Sequence, residues 1–109
     1  MAQALDQRVE RFRSEYLPLL AEKFRPVKVV VFGSRARGDA LKHSDLDLLV
    51  VSQAFAGVRW LDRPARVLDA VPVPFGVELL CYTPEEYSQK VEEFGIVRTA
   101  TLEGIDLLG

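Results

Sequence analysis

Two short apolar runs limit what this chain can become. Residues 27–32 are Val and Phe interrupted only by Lys28, and residues 46–51 are Leu and Val interrupted only by Asp47. Each is far shorter than the about 20 residues that cross a bilayer as a helix. Their brevity and β-branched content identify them as largely buried strands. Gly33-Ser34 stops the first, and a polar stretch over residues 39–44 leads into the second. A chain of 109 residues with 49% apolar and 28% charged side chains is expected to form one soluble core around such strands, as a single domain over residues 1–109. Its single cysteine, Cys81, has no partner for an internal disulfide and no Cys or His companions at zinc spacing. With no basic segment followed by a cleavable apolar stretch at its start, the chain is expected to be cytoplasmic.

Helical periodicity flanks the strands. Leu5, Val9, Phe12, Tyr16, Leu20 and Phe24 recur at steps of three and four, which predicts an amphipathic helix over residues 4–24, kinked or split at Pro18. Residues 34–38 predict a short helix closed by Gly38, and residues 57–70 a second amphipathic one whose start is blurred by Pro64. Residues 75–82 predict a third strand. Thr83-Pro84-Glu85-Glu86 combines an N-cap, a first-turn proline and an acid at the third helical position, so a helix is expected from 84 to about 94. The tail from 95 to 109 is apolar at Ile96, Val97, Leu102, Ile105, Leu107 and Leu108. The expected class is α+β, a small mixed sheet flanked by helices.

Charge is unevenly spread. Residues 1–66 carry twelve Lys/Arg against eight Asp/Glu, and residues 67–109 two against eight. The basic part can attract a polyanion such as a nucleoside triphosphate, but an acidic whole without a basic stripe argues against stable DNA binding.

Alternation along a strand puts Asp45 and Asp47 on one face and Leu46, Leu48 and Val50 on the other. Two carboxylates so close repel unless a cation bridges them, and Mg²⁺ is the usual hard partner of carboxylate oxygens. The plain alternative is a half-solvated strand end. Gly33 lets backbone approach a phosphate, and Ser34 adds a hydroxyl donor at the start of the following helix. Arg35 and Arg37 stand in the same turn, where one of them could equally serve a surface salt bridge.

Gly33-Ser34, ten residues, Asp45, one residue and Asp47 together resemble the signature of the DNA polymerase β-like nucleotidyltransferase superfamily. The string GSRARGDALKHSDLDLLV is similar to its minimal nucleotidyltransferase branch. Four fixed positions match by chance in a chain this long about once in a thousand. The resemblance covers residues 27–51 closely and implies a polymerase-palm-like fold. It also implies two Mg²⁺ ions held by Asp45 and Asp47, a triphosphate of ATP gripped by Gly33, Ser34, Arg35 and Arg37, and attack of an acceptor hydroxyl on the α-phosphorus. The family's third carboxylate falls on Glu78, the only acid in residues 75–82, where the commoner residue is aspartate; an exposed edge-strand glutamate is the alternative, and Asp39 is a rival.

Minimal nucleotidyltransferases resembling this one pair with HEPN-domain RNase toxins, which they neutralise by binding and by transferring AMP to a toxin tyrosine. The resemblance therefore implies an antitoxin in a hetero-oligomer, with contact supplied by the apolar tail or the first helix. Two other readings stay open. One is a toxin-masking or nucleotide-binding subunit without turnover, and the other is transfer to a small hydroxylated molecule such as an aminoglycoside in a cleft completed by a homodimer. For the remaining candidates the expectations are structural: His43 in an exposed loop, Cys81 as a small core hydrophobe, and Trp60, Tyr82 and Tyr87 as packing residues.

Overall fold

A computed structural model describes residues 5–109, so the predicted helix start at Ala4 lies outside the described residues. The first helical stretch begins at α1 (Gln7–Arg11), where Asp6 caps it by accepting hydrogen bonds from the backbone N–H groups of Arg8 and Val9. A π-helical turn, Phe12–Tyr16, joins it to α2 (Leu17–Phe24). Pro18 lacks the N–H that a helix interior needs, and the Leu17 N–H reaches back five residues to Phe12 O. The expected disruption is thus a change of helical pitch rather than a break.

The sheet contains β1 (Lys28–Phe32), β2 (Leu46–Val51), β3 (Val77–Tyr82) and β4 (Ile105–Asp106) in the order β3-β2-β1-β4. β1 runs antiparallel to both β2 and β4, and β2 runs parallel to β3. This is the mixed sheet expected. On one face Val29, Val31, Leu46, Leu48, Val50, Leu79 and Cys81 pack under the N-terminal helices and α4 (Arg63–Ala70). On the other, Val30, Leu49, Val51 and Tyr82 pack against α5 (Pro84–Lys90) and α6 (Ile96–Glu103). Cys81 is buried as expected, and burial pushes its thiol up to about 12, so it packs as an inert hydrophobe.

Several boundaries differ from the periodicity. The helix predicted over 57–70 starts only at Arg63, because proline is tolerated in a first turn and Pro64 takes that place; 3₁₀ turns at Gln53–Phe55 and Trp60–Asp62 fill the preceding stretch. β3 starts at Val77 instead of residue 75. The expected capping box forms at α5, where Thr83 and Glu86 each accept a hydrogen bond from the other's backbone N–H, but the helix ends at Lys90. Half of the tail's apolar residues are used inside the fold: Val97 is a core residue, as is Ala100, Ile105 and Leu107 pack against the other face, and Ile105-Asp106 pairs with β1, whereas Ile96, Leu102 and Leu108 are exposed.

Arg63 fastens α4 to the α5 cap. It is nearly buried and donates to the carbonyls of Val58 and Cys81 and to both carboxylate oxygens of Glu86. The Arg63 hydrogen bonds, aided by the Thr83 N–H, hold Glu86 at about 2, below an ordinary 4.5. A depressed carboxylate pKa stabilises the fold above the unfolded value, and that contribution fades as pH falls through the folded one. Glu86→Gln should therefore cost about 1 kcal/mol at pH 7, after solvent screening of a side chain that is 42% exposed. Urea midpoints of the two proteins should converge as pH is lowered from 5 towards 2. A gap that stays constant over that range would remove the carboxylate–guanidinium pair as its source.

Candidate active site

The ends of β1, β2 and β3 meet in one row. Phe32 of β1 stands opposite Asp47 of β2, and Asp47 stands opposite Glu78 of β3. All three lie on the sheet face that carries α5 and α6, while Leu46, Leu48 and Val50 point into the opposite core. Asp45, just before β2, lies two residues from Asp47 and is exposed. Parallel pairing of β2 with β3 is what puts Glu78 beside Asp47. Glu78 is also exposed on an edge strand, as the alternative reading of its position expects.

The two glycines flanking this row leave room for the carboxylates. A Cβ at Gly33 would collide with Asp47 Oδ2, and one at Gly76 with Asp45 Oδ1. Gly33 also has φ 74° and ψ −155°, a conformation that L side chains rarely adopt. Gly33→Ala should accordingly cost about 1 to 3 kcal/mol of stability through backbone strain and should displace the Asp47 carboxylate. Calorimetry and a rate assay on the one variant check both effects. Wild-type activity in a folded Gly33→Ala protein would show that the Asp47 position is not needed.

The Asp47 pKa is raised, first by burial, next by the like charge and hydrogen bond of Glu78, then by Asp45, against a lowering by Arg37. Three carboxylates, Asp45, Asp47 and Glu78, stand at one sheet end, with glycines cleared beneath two of them. Among the described residues no three acidic, His or Cys side chains close on a single point.

Gly33 and Ser34 turn the chain from β1 into α3 (Ser34–Arg37), which ends at Gly38 in the left-handed conformation. The two arginines of this turn part company. Arg37 is exposed, pairs with Asp39 at 3.2 Å, and lines a cleft of about 300 Å³ with Gly33, Asp47 and the face of α6. Arg35 is only 7% exposed and turns towards Asp6 and the 39–44 loop. It donates to both carboxylate oxygens of Asp6 and to the carbonyls of Ser44, Leu41 and Lys42. All three of its guanidinium nitrogens are engaged, which leaves Arg35 holding the 39–44 loop to α1 rather than facing a phosphate. Its partner Asp6 and the α6 wall of the cleft are the elements that sequence reasoning missed. His43 is exposed in the loop, and Trp60 is half-exposed against Tyr82.

The model of the family described as nucleotidyltransferase domain matches residues 13–96. The chain belongs to that family. Nucleotidyl transfer is the general chemistry of the nucleotidyltransferase domain, and the match spans all four of Gly33, Ser34, Asp45 and Asp47. Among solved structures, a Sulfolobus solfataricus protein described as a nucleotidyltransferase is 26% identical, with a TM-score of 0.51 over 82% of this chain and 84% of that one. BolA1 from Arabidopsis thaliana is 19% identical, with a TM-score of 0.54 over 68% of this chain and 93% of its own. The BolA domain of SufE1 from the same plant is 22% identical, with a TM-score of 0.54 over 76% and 99%. At these identities the two BolA likenesses concern the fold alone. No curated protein matches the sequence. No helix among the described residues is long and apolar enough to cross a membrane.

Proposed function

We propose that this nucleotidyltransferase domain moves AMP from ATP to a hydroxyl acceptor, and that the acceptor is a tyrosine on a partner protein of the HEPN toxin kind, which makes the chain an antitoxin. The observation carrying the chemistry is the opposition of Asp47 and Glu78 across neighbouring strands, beside Asp45 and the Gly33-Ser34 turn. Asp45, Asp47 and Glu78 are the side chains that would hold Mg²⁺. When bound, Mg²⁺ supplies the positive charge that offsets the transferring phosphoryl group and its leaving oxygen. Ser34 donates its hydroxyl to a phosphate oxygen, and Arg37, free to turn from its exposed pair with Asp39, neutralises another. Glu78 accepts the proton of the acceptor hydroxyl as that oxygen bonds to the α-phosphorus and the bond to the β-phosphate oxygen breaks. Pyrophosphate leaves.

A protein acceptor is favoured by apolar surface away from the core. Leu41, Leu61, Phe94 and Leu102 are each more than 70% exposed. Of the tail, Val97 and Ala100 are buried and Ile105 and Leu107 pack against the core, which leaves Ile96, Leu102 and Leu108 for a contact. Incubation of the purified chain with ATP labelled at the α-phosphate, Mg²⁺ and the protein encoded beside it tests the proposal. Label on a tyrosine of that protein is the expected result. A tight but unlabelled complex would make the chain a masking subunit, and label appearing only on an added aminoglycoside would move the acceptor to small molecules.

A further inference from the structure

The cleft beside Asp47 has a second wall that the transfer chemistry does not use. Ile96, Thr99, Ala100 and Glu103 stand at i, i+3, i+4 and i+7, so they share one face of α6, and all four line the cleft opposite Gly33 and Arg37. Phe32 and Ala36 complete its apolar part. A volume of about 300 Å³ is at the lower limit for small-molecule pockets, enough for one moiety of a nucleotide rather than all of it.

The two walls differ in charge. Gly33 and Arg37 suit phosphates on one side, where the Asp47 carboxylate would meet them through a cation, whereas the Glu103 carboxylate on the other repels them. The α6 wall therefore takes the uncharged end of the substrate. Among the described residues Glu103 has neither an ion pair nor a hydrogen bond, and the Thr99 hydroxyl, one helical turn earlier, is likewise without a protein partner. Thr101, on another face of the same helix, differs: its hydroxyl donates to Val97 O and is hydrogen-bonded to the Tyr87 hydroxyl. The polar groups turned into the cleft are the ones left available.

Resting on the proposed nucleotidyl transfer, we infer that this cleft is the base subsite, and that Glu103 selects a base carrying an exocyclic amino group. An ionised carboxylate only accepts hydrogen bonds. It can pair with the amino group of adenine, and it meets a carbonyl oxygen with repulsion at the same position of hypoxanthine or uracil. Apolar side chains from Phe32 and Ala100 cover the faces of a planar ring, and the Thr99 hydroxyl can donate to a ring nitrogen.

Calorimetric titration of the protein with Mg²⁺-ATP and with Mg²⁺-ITP tests this, since the two bases differ only at the C6 amino or carbonyl group and the accompanying proton on N1. The wild type should bind ATP about tenfold more tightly, the usual penalty for withdrawing a hydrogen bond to a charged group. Glu103→Gln should bring the two affinities to within about twofold, because a glutamine amide can donate to a carbonyl as well as accept from an amine. The position is exposed at the end of α6, so the variant should fold normally. Equal affinities in the wild type, or an unchanged preference in Glu103→Gln, would overturn the base subsite while leaving triphosphate binding in place. Failure of the wild type to bind either nucleotide would overturn the transfer proposal and this inference together.

Discussion

Replacing Asp45 and Asp47 together by asparagine is expected to reduce nucleotidyl transfer by about a thousandfold or more while leaving the melting temperature unchanged or slightly raised. The loss follows from charge. Carboxylates that gather divalent cations act on a transition state in which negative charge spreads over the transferring group, and removal of such stabilisation costs several kcal/mol. Asparagine retains the shape and one oxygen at each position, so packing around Gly33 and Gly76 is kept. Stability should not suffer, because burial, Glu78 and Asp45 all disfavour the charged form of Asp47, and the substitution removes that repulsion. The comparison requires initial rates with α-labelled ATP alongside thermal unfolding of wild type and double variant. More than a tenth of wild-type activity in the folded variant would mean that the chemistry is carried by other residues.

This site was legible where its parts are close in sequence. A β-branched run ended by Gly33 predicts a strand and a turn, and the alternation of Asp45 and Asp47 with leucines predicts which face each takes; β2 occupies the predicted residues and has the predicted faces. Glu78 was harder. Nothing in residues 75–82 announces that β3 lies parallel to β2, so its place on a neighbouring strand came from the family resemblance, and only the fold shows that it stands opposite Asp47. The α6 wall was not legible at all. Gly95 gives its first turn no side-chain cap, and Ile96, Val97, Leu102, Ile105, Leu107 and Leu108 read as an apolar tail fit for a partner, whereas packing turns Val97 and Ala100 inward and leaves Thr99 and Glu103 at the cleft. Helix propensity is a weak signal over eight residues without caps, and tertiary packing decided the outcome.

Arg35 and Arg37 show the same limit at the level of single side chains. They sit two apart on a short helix, which places them on different sides, but only the fold reveals that Asp6, 29 residues earlier, waits on one of those sides. Opposite phenotypes should result. Arg35→Met keeps most of the stem and removes every donor, which strands the Asp6 carboxylate and the carbonyls of Leu41, Lys42 and Ser44. Breaking a buried ion pair from one side costs about 3 to 5 kcal/mol, and for a domain of this size that lowers the melting temperature by roughly 20 °C. The fraction that remains folded should still bind Mg²⁺-ATP with near wild-type affinity. Arg37→Ala should do the reverse. Its side chain is 59% exposed and its pair with Asp39 lies at the surface, so stability should change by less than about 0.5 kcal/mol. Nucleotide affinity should fall about tenfold with the loss of a charge-assisted hydrogen bond. Melting curves and ATP titrations on the two variants separate these outcomes. Weakened ATP binding by a fully folded Arg35→Met protein, with Arg37→Ala unaffected, would assign the phosphate contact to the buried arginine and require the 39–44 loop to open for the substrate.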